Sequence, residues 1–368
     1  MKKIKIVHFL FGLVNGGVEK VLINYFSNFD RNKYDLYIVT QQVEEKCQKD
    51  FEKLGFKVYI VPEKHHIIKY FKEVNKILRT IKPDIVHSHM AETNFIPNFI
   101  ALINGVKVRI SHSHNYYPYH SLKRKICLKI SMVVSNKYLA CSKDAAIYAF
   151  GKKNINNVEI INNAFDLSLF KFNNDRRNKI RKELNINNND KVILNIGRMV
   201  DQKNQLFLID IFNELLKENN NFKLILIGNG ILKDKIFEKI DLYGISNNIL
   251  YFDKTNDVSS FLSASDLFLF PTKFEGLGIV LVEAQTSGIQ ILTSDIVPSE
   301  AIICDLCSTF SLNNNPMQWK EKCLELLLKT NDRVNYYDIL YNSNFNIYKE
   351  HYKLESIYNE EIKKYEKK

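Results

Sequence analysis

The sequence has no apolar run long enough to cross a membrane as a helix. Its most apolar stretches, such as "KLILIG" and "DLFLF", fall far short of the roughly 20 residues that a span requires. The basic, apolar start "MKKIKIVHFLFGL" is not followed by a small-residue cleavage site. It reads as a buried first strand running into a glycine turn and not as a secretion signal. Cysteine is sparse and scattered: Cys47, Cys127, Cys141, Cys304, Cys307 and Cys323. That pattern argues against a disulfide-built secreted scaffold and for free thiols in a cytosolic chain. Cys304 and Cys307 form one C-x-x-C, but no second pair or nearby histidine completes a zinc site. Low-complexity tracts, the G-x-G-x-x-G fingerprint, the Walker A loop and any recognisable nucleic-acid motif are also missing.

What is present fits an ordinary globular protein. The 368 residues suggest two domains. The chain is 45% hydrophobic and 25% charged, within the usual range. Lys and Arg number 52 against 41 Asp and Glu, a formal charge of +11. That excess suits an anionic partner, such as a nucleotide phosphate, a nucleic acid or an acidic membrane surface, and equally a Lys-rich solvated surface.

Short apolar strands alternate with helical stretches through the first half. Candidate strands are Lys5–Leu10, Tyr34–Thr40, Lys57–Val61, Asp84–Ser88, Lys107–Ser111, Tyr138–Cys141 and Val158–Ile161. After a polar connection at about 172–189, the alternation resumes with "KVILNIG", "FKLILIG", "NILYF", "DLFLFP", "IQILTSD" and "CSTFSL". Strands alternating with helices imply parallel βαβ units. The expected architecture is α/β, with two doubly wound, Rossmann-like domains facing across a cleft. The boundaries read as 1–170 and 171–343, with a helix at about 344–368 able to pack back on the first domain. Ligands of such sheets bind beyond the C-terminal strand ends.

Three stretches carry chemistry. In "FPTKFEGLGIVLVEAQTSG" (270–288), a strand runs into a glycine loop and then a helix starting near Leu277. The loop glycines admit close backbone approach, and Glu275 and Glu283 are carboxylates suited to paired sugar or ribose hydroxyls. The plainer alternative is that Glu275 caps the helix and Glu283 is solvated. In "NIGRMVDQKNQ" (195–205), Arg198 and Lys203 follow a strand and could grip a diphosphate, or they are two surface cations. In "FGLVNGGVEK" (11–20), Gly16 and Gly17 open an amphipathic helix, either as a phosphate-facing turn or as a plain one.

Taken together, these stretches resemble the retaining family 4 glycosyltransferases of the GT-B type, and among them the bacterial capsule and exopolysaccharide group. The resemblance covers nearly the whole chain. It rests on the E-x7-E pair Glu275/Glu283, with "NGGVE", "DIVHSH", "SHSHN", "GRMVDQKN" and "LIGNG" in the family's order. One departure is "NNAFD" at 162–166, where Ala164 stands for the usual glycine of a hinge turn. The resemblance implies that Glu275 contacts donor-sugar hydroxyls, helped by the backbone of Gly276, Leu277, Gly278 and Ile279. Glu283 would hold the ribose. Arg198 and Lys203 would hold the diphosphate, assisted by Gly16 and Gly17. Gly228 and Gly230 would line the nucleotide pocket, with the base near Phe252. The implied reaction moves a sugar from a nucleotide-diphosphate sugar, UDP-linked as first choice, to a saccharide or polyprenyl-linked saccharide. Configuration would be retained, and no metal or other cofactor is implied.

Two alternatives remain from the residues: a GT-B-shaped sugar-nucleotide epimerase acting without an acceptor, and an inactive nucleotide-sugar-binding assembly partner. Nucleic-acid binding is suggested by charge alone and is not expected. The stretch 119–137, with Lys123, Arg124, Lys125 and Lys129 among Leu122, Ile126, Leu128, Ile130 and Met132, reads either as an ordinary domain helix or as a basic amphipathic one. The second reading would place a cytoplasmic protein peripherally on the inner face of the cell membrane.

"HSHM" (87–90) and "HSHN" (112–115) repeat one phrase at two predicted strand ends. Alternation along a strand puts His87 with His89, and His112 with His114, on one face. Four imidazoles suggest a metal, but neither phrase holds a carboxylate or thiol companion. The resemblance instead places His114 near the donor sugar or orienting the acceptor, with His89 toward the acceptor. His87 and His112 are then supporting or core residues.

Overall fold

The computed structural model describes residues 3–14, 16–63, 65–114, 121–329 and 332–366. Within it the chain divides into two compact units, Met1–Phe165 with Asn344–Lys368, and Asp166–Ser343.

The first unit holds seven parallel strands: β1 (Ile4–Phe9), β2 (Tyr34–Thr40), β3 (Lys57–Ile60), β4 (Ile85–Ser88), β5 (Val108–Ser113), β6 (Lys137–Ala140) and β7 (Val158–Ile160). They lie in the order β3-β2-β1-β4-β5-β6-β7. β-Branched and aromatic residues dominate runs such as "IKIVHF" and "YDLYIVT", and most of their side chains are buried. Such near-continuous apolar runs belong to parallel sheets covered on both faces. Along β1, Val7 and Phe9 face a core built with Tyr70, Val74, Leu78 and Ile100. Ile6 and Leu10 face the opposite core, with Leu22, Tyr25 and Phe26 of the helix Gly17–Phe26 and Leu354, Ile357 and Tyr358 of the helix Ile347–Glu366. The C-terminal helix is therefore part of this unit's core.

The second unit holds six parallel strands: β8 (Lys191–Ile196), β9 (Phe222–Ile227), β10 (Ile249–Phe252), β11 (Leu267–Phe270), β12 (Gln290–Ser294) and β13 (Cys307–Phe310). Their order is β10-β9-β8-β11-β12-β13. The expected pair of doubly wound sheets is present. In each sheet the strand order reverses once, between β1 and β4 and between β8 and β11. A doubly wound sheet opens a ligand crevice at that point, beyond its C-terminal edge.

The observed elements sharpen three local readings. The helix after Glu275 starts at Ile279, because Gly278 has φ +75° and closes off an earlier start. The basic helix covers Leu122–Val134, with residues 119 and 120 outside the described part. Asn15 of "NGG" and Asn115 of "HSHN" also lie outside it.

Candidate functional site

At the switch point of the second sheet, β8 and β11 bring together residues 72 apart in sequence. Lys203 Nζ donates to Glu275 Oε1 at 2.6 Å, and both side chains are largely buried. Thr272 Oγ1 sits 2.8 Å from the same carboxylate oxygen, and the Lys203 ammonium lies 4.7 Å from the Phe270 ring centre. Glu275 does not cap the helix, which has no side-chain cap at all. Lys203 is likewise no surface cation. Arg198 differs: its side chain is exposed and makes no ion pair among the described residues. Its loop is held from behind, where Gln205 Nε2 donates to the Arg198 carbonyl at 3.0 Å.

Gly228 and Gly230 have a steric reason to be glycine. A Cβ on Gly228 would lie 1.9 Å from the Gly197 carbonyl oxygen, and one on Gly230 would lie 2.4 Å from that of Met199. Both have positive φ. The "LIGNG" turn thus packs backbone to backbone against the Arg198 loop. Phe252 closes the next strand: its carbonyl accepts from Gly228 N at 2.9 Å, and its ring meets Phe261 edge-on. Gly276 and Gly278 are half-buried, Leu277 is buried, and Ile279 and Glu283 are half-buried on the helix Ile279–Thr286.

Gly16, Gly17, His89 and His114 belong to the first unit. Gly16 precedes the helix Gly17–Phe26, and a Cβ there would meet Glu19 Oε2 at 2.6 Å. Burial pushes the Glu19 carboxyl above its ordinary range, opposed by the backbone N–H groups of Glu19, Val14 and Gly16. The turn therefore already holds an acidic group. A phosphate would be received there only if Glu19 were protonated or displaced.

The histidines form a cluster of five. β1 and β4 pair His8 directly with His87, and period-two alternation puts His89, His112 and His114 on the same face. His87 Nδ1 is 2.7 Å from the Tyr358 hydroxyl, and His87 Nε2 is 3.1 Å from His112 Nδ1. His8 Nδ1 is 3.1 Å from His89 Nε2, and His89 Nδ1 is 2.9 Å from His114 Nε2. Nitrogens of His8, His87 and His89 lie within 4.8 Å of one another, as do those of His89, His112 and His114, a spacing that could receive an ion. In the structure these nitrogens serve one another. Burial drives His8 down to about 3 and His114 to about 4, with Asn163 pulling His114 partly back. His87, His89 and His112 are also lowered, by burial first and by the neighbouring imidazoles second. All five are neutral at physiological pH. Both ring nitrogens of His89 are engaged inside the protein.

A model described as "Glycosyl transferases group 1" matches residues 176–341, and one described as "Glycosyltransferase Family 4" matches residues 15–169. The chain is a GT-B glycosyltransferase of the family 4 type. This glycosyltransferase is similar to the capsular polysaccharide biosynthesis glycosyltransferase CapH of Staphylococcus aureus, at 26% identity over 88% of this chain and 91% of CapH. An Escherichia coli UDP-Gal:α-D-GlcNAc-diphosphoundecaprenol α-1,3-galactosyltransferase is 24% identical over 82% of each chain. The structure of Anabaena HepE in complex with UDP and glucose superposes with a TM-score of 0.83. That match has 16% identity and covers 97% of the glycosyltransferase and all of HepE.

Sequence reasoning missed two residues of these sites. Thr272 carries no pattern that marks it. His8 did leave a signal, a lone imidazole in the apolar run "IVHF", but its partners lie on strands far away in sequence.

Proposed function

We propose that this glycosyltransferase moves a sugar from a UDP-linked donor to a saccharide or polyprenyl-linked saccharide acceptor, with retention of configuration, in the synthesis of a capsule or related cell-surface glycan. The observation that carries the reading is the buried Lys203–Glu275 pair beside exposed Arg198 at the second switch point. The names of CapH and the galactosyltransferase, and the UDP held by HepE, support the substrate class.

In this reading, Glu275, paired with Lys203, accepts hydrogen bonds from sugar hydroxyls. Glu283 accepts from the ribose diol. Arg198 and Lys203 stabilise charge growing on the departing diphosphate, which is transition-state stabilisation by pre-placed cations. The bond from the anomeric carbon to the diphosphate oxygen breaks, and its electron pair leaves with the phosphate. The acceptor oxygen bonds to the same face of that carbon, and its proton passes to a leaving phosphate oxygen. The family resemblance is what gives His114 a role in orienting the acceptor. In this reading two cations already neutralise the leaving group without a metal, and the expected result is turnover unchanged by EDTA.

The membrane surface belongs to the same proposal. Leu122, Ile126, Ile130 and Val133 form one exposed stripe along the helix Leu122–Val134, flanked by exposed Lys123, Lys125 and Lys129. Phe99 and Ile103 are exposed on the neighbouring helix Phe95–Ile103. Arg124 is tied to Glu92 at 3.1 Å. An apolar stripe bordered by lysines suits an anionic bilayer surface.

Thermal shift with UDP-, GDP- and dTDP-sugars, followed by a transfer assay with NMR detection of the product anomer, tests the chemistry. Stabilisation by a UDP-sugar and a product of the donor's configuration are expected. No shift with any nucleotide sugar would remove the proposal, and turnover of UDP-sugar alone would favour the epimerase. Flotation with anionic vesicles tests the membrane surface, and absence of binding ends that part.

A further inference from the structure

Two loops of the second unit are laced together beside Glu275. Asn204 Nδ2 donates to the Pro271 carbonyl at 3.0 Å, and Gln202 Nε2 to the Phe274 carbonyl at 2.9 Å. The Lys273 backbone N–H donates to the Gln202 carbonyl at 2.8 Å. Thr272 lies inside this lacing and is fully buried. Its backbone is anchored without its side chain. The Thr272 N–H donates to the Phe270 carbonyl at 2.9 Å, and the Thr272 carbonyl accepts from Ser294 Oγ at 2.6 Å. The hydroxyl is therefore not what holds the chain in place.

That hydroxyl has one proton and three oxygens within reach. The Gln202 carbonyl lies at 2.9 Å, the Phe274 carbonyl at 3.2 Å and Glu275 Oε1 at 2.8 Å. Both carbonyls already accept from other donors, Lys273 N and Gln202 Nε2. The carboxylate is the nearest of the three, and hydrogen bonds to an ionised acceptor are the stronger ones. The proton therefore goes to Glu275. A carboxylate oxygen has about two acceptor sites, and Lys203 Nζ takes the other at 2.6 Å. Oε1 is full. Oε2 has no partner among the described residues, and the side chain is not completely shut away.

We propose that Thr272 is a positioning residue whose hydroxyl, together with Lys203, fills Oε1 of Glu275 and fixes the carboxylate with Oε2 left to receive a substrate hydroxyl. One contact at Oε1 is a pivot, and the second stops the rotation. The group that fits Oε2 is an O–H donor, because the oxygen offers only lone pairs. The consequence for the donor sugar rests on the function proposed above: Glu275 meets the sugar through a single oxygen, in one orientation set before the sugar arrives.

A crystal structure of Thr272→Val tests the positioning without any substrate. Valine keeps the shape of the side chain and removes the hydroxyl. The Glu275 carboxylate should be turned, or split between orientations, where the wild type holds one. Calorimetry with UDP, and turnover of UDP-glucose or UDP-galactose with water as acceptor, test the consequence. Thr272→Val should lower kcat/KM for the UDP-sugar roughly 10-fold, the scale of one hydrogen bond to a charged group, with Kd for UDP unchanged. Thr272→Ser keeps the hydroxyl and should return most of that loss. If valine is not tolerated, Thr272→Ala, which adds no bulk, takes its place with the same expectations. A carboxylate that keeps its wild-type orientation overturns the proposal. So does a loss of UDP affinity as large as the loss in kcat/KM, because Thr272 would then shape the pocket and not the carboxylate. If the carboxylate loosens as expected and no UDP-sugar is ever bound, the positioning stands and the transferase reading fails.

Discussion

The two switch points have the same topology and opposite electrostatics. At the first, β1 carries His8, β4 carries His87, and His89 follows directly after β4, all buried and neutral. At the second, the segments after β8 and β11 carry Lys203 and Glu275, buried and charged, with Arg198 exposed beside them. The fold places a crevice in both units, and the side chains alone decide what each crevice can hold. Neutral imidazoles convey hydrogen-bond direction without net charge, which suits a sugar hydroxyl. A cation pair with one carboxylate suits an anionic diphosphate next to a polyol. The difference also sets what removal costs: breaking a buried ion pair strands a charge, while altering one imidazole strands only a dipole.

The largest expected effect lies at the charged site. Glu275→Gln should lower kcat on the order of 100-fold or more while circular dichroism stays native. Wild-type turnover in that variant would remove Glu275 from the mechanism. Lys203→Ala should cut turnover nearly as strongly and also lower Tm, because Glu275 loses its counter-charge. The double variant should fall little below either single one, since the two act as a unit. Additive losses in a double-mutant cycle would show them to be independent.

A smaller effect separates the units by pH. The folded histidines titrate below the value of 6.5 that they have when unfolded, His8 near 3 and His114 near 4. The unfolded chain therefore binds protons that the folded first unit refuses. The stability due to neutral burial is complete above about pH 6.5 and is lost as pH falls toward 4. Hydrogen exchange at about pH 7 and about pH 5 should show the first unit loosening more than the second. Equal loosening of both would contradict the assignment. The smallest effect is steric: Gly230→Ala should destabilise the second unit by roughly 1–3 kcal/mol and weaken UDP binding, both measurable by thermal shift. An unchanged Tm would mean that the Arg198 loop yields freely.

Much of the fold was legible because periodicity is local. Tyr34–Thr40 appears as a strand with the expected limits, and the other strands of the first unit are shifted by a residue or two at most ends. Lys203 and Glu275 were legible as candidates, since a cation and a carboxylate after strand ends suggest ligand chemistry. Their pairing was not, because it depends on β8 lying next to β11. His8 was legible only as an oddity within an apolar strand. Its partnership with His89 spans 81 residues and exists because β1 and β4 are neighbours.

By itself the sequence determined the alternation of strand and helix, the restart after residue 172, and the residue types at the strand ends. Side-chain spacing and turn chemistry act over a few positions, so they can be read along the chain. The tertiary structure alone decided which strands adjoin and which titratable groups lose their water. It also decided that Gly228 and Gly230 must clear the carbonyls of Gly197 and Met199. Burial and contact depend on segments far apart in the chain. An imidazole that would titrate near neutrality in water becomes, once buried among its neighbours, a neutral group held at a lowered pKa.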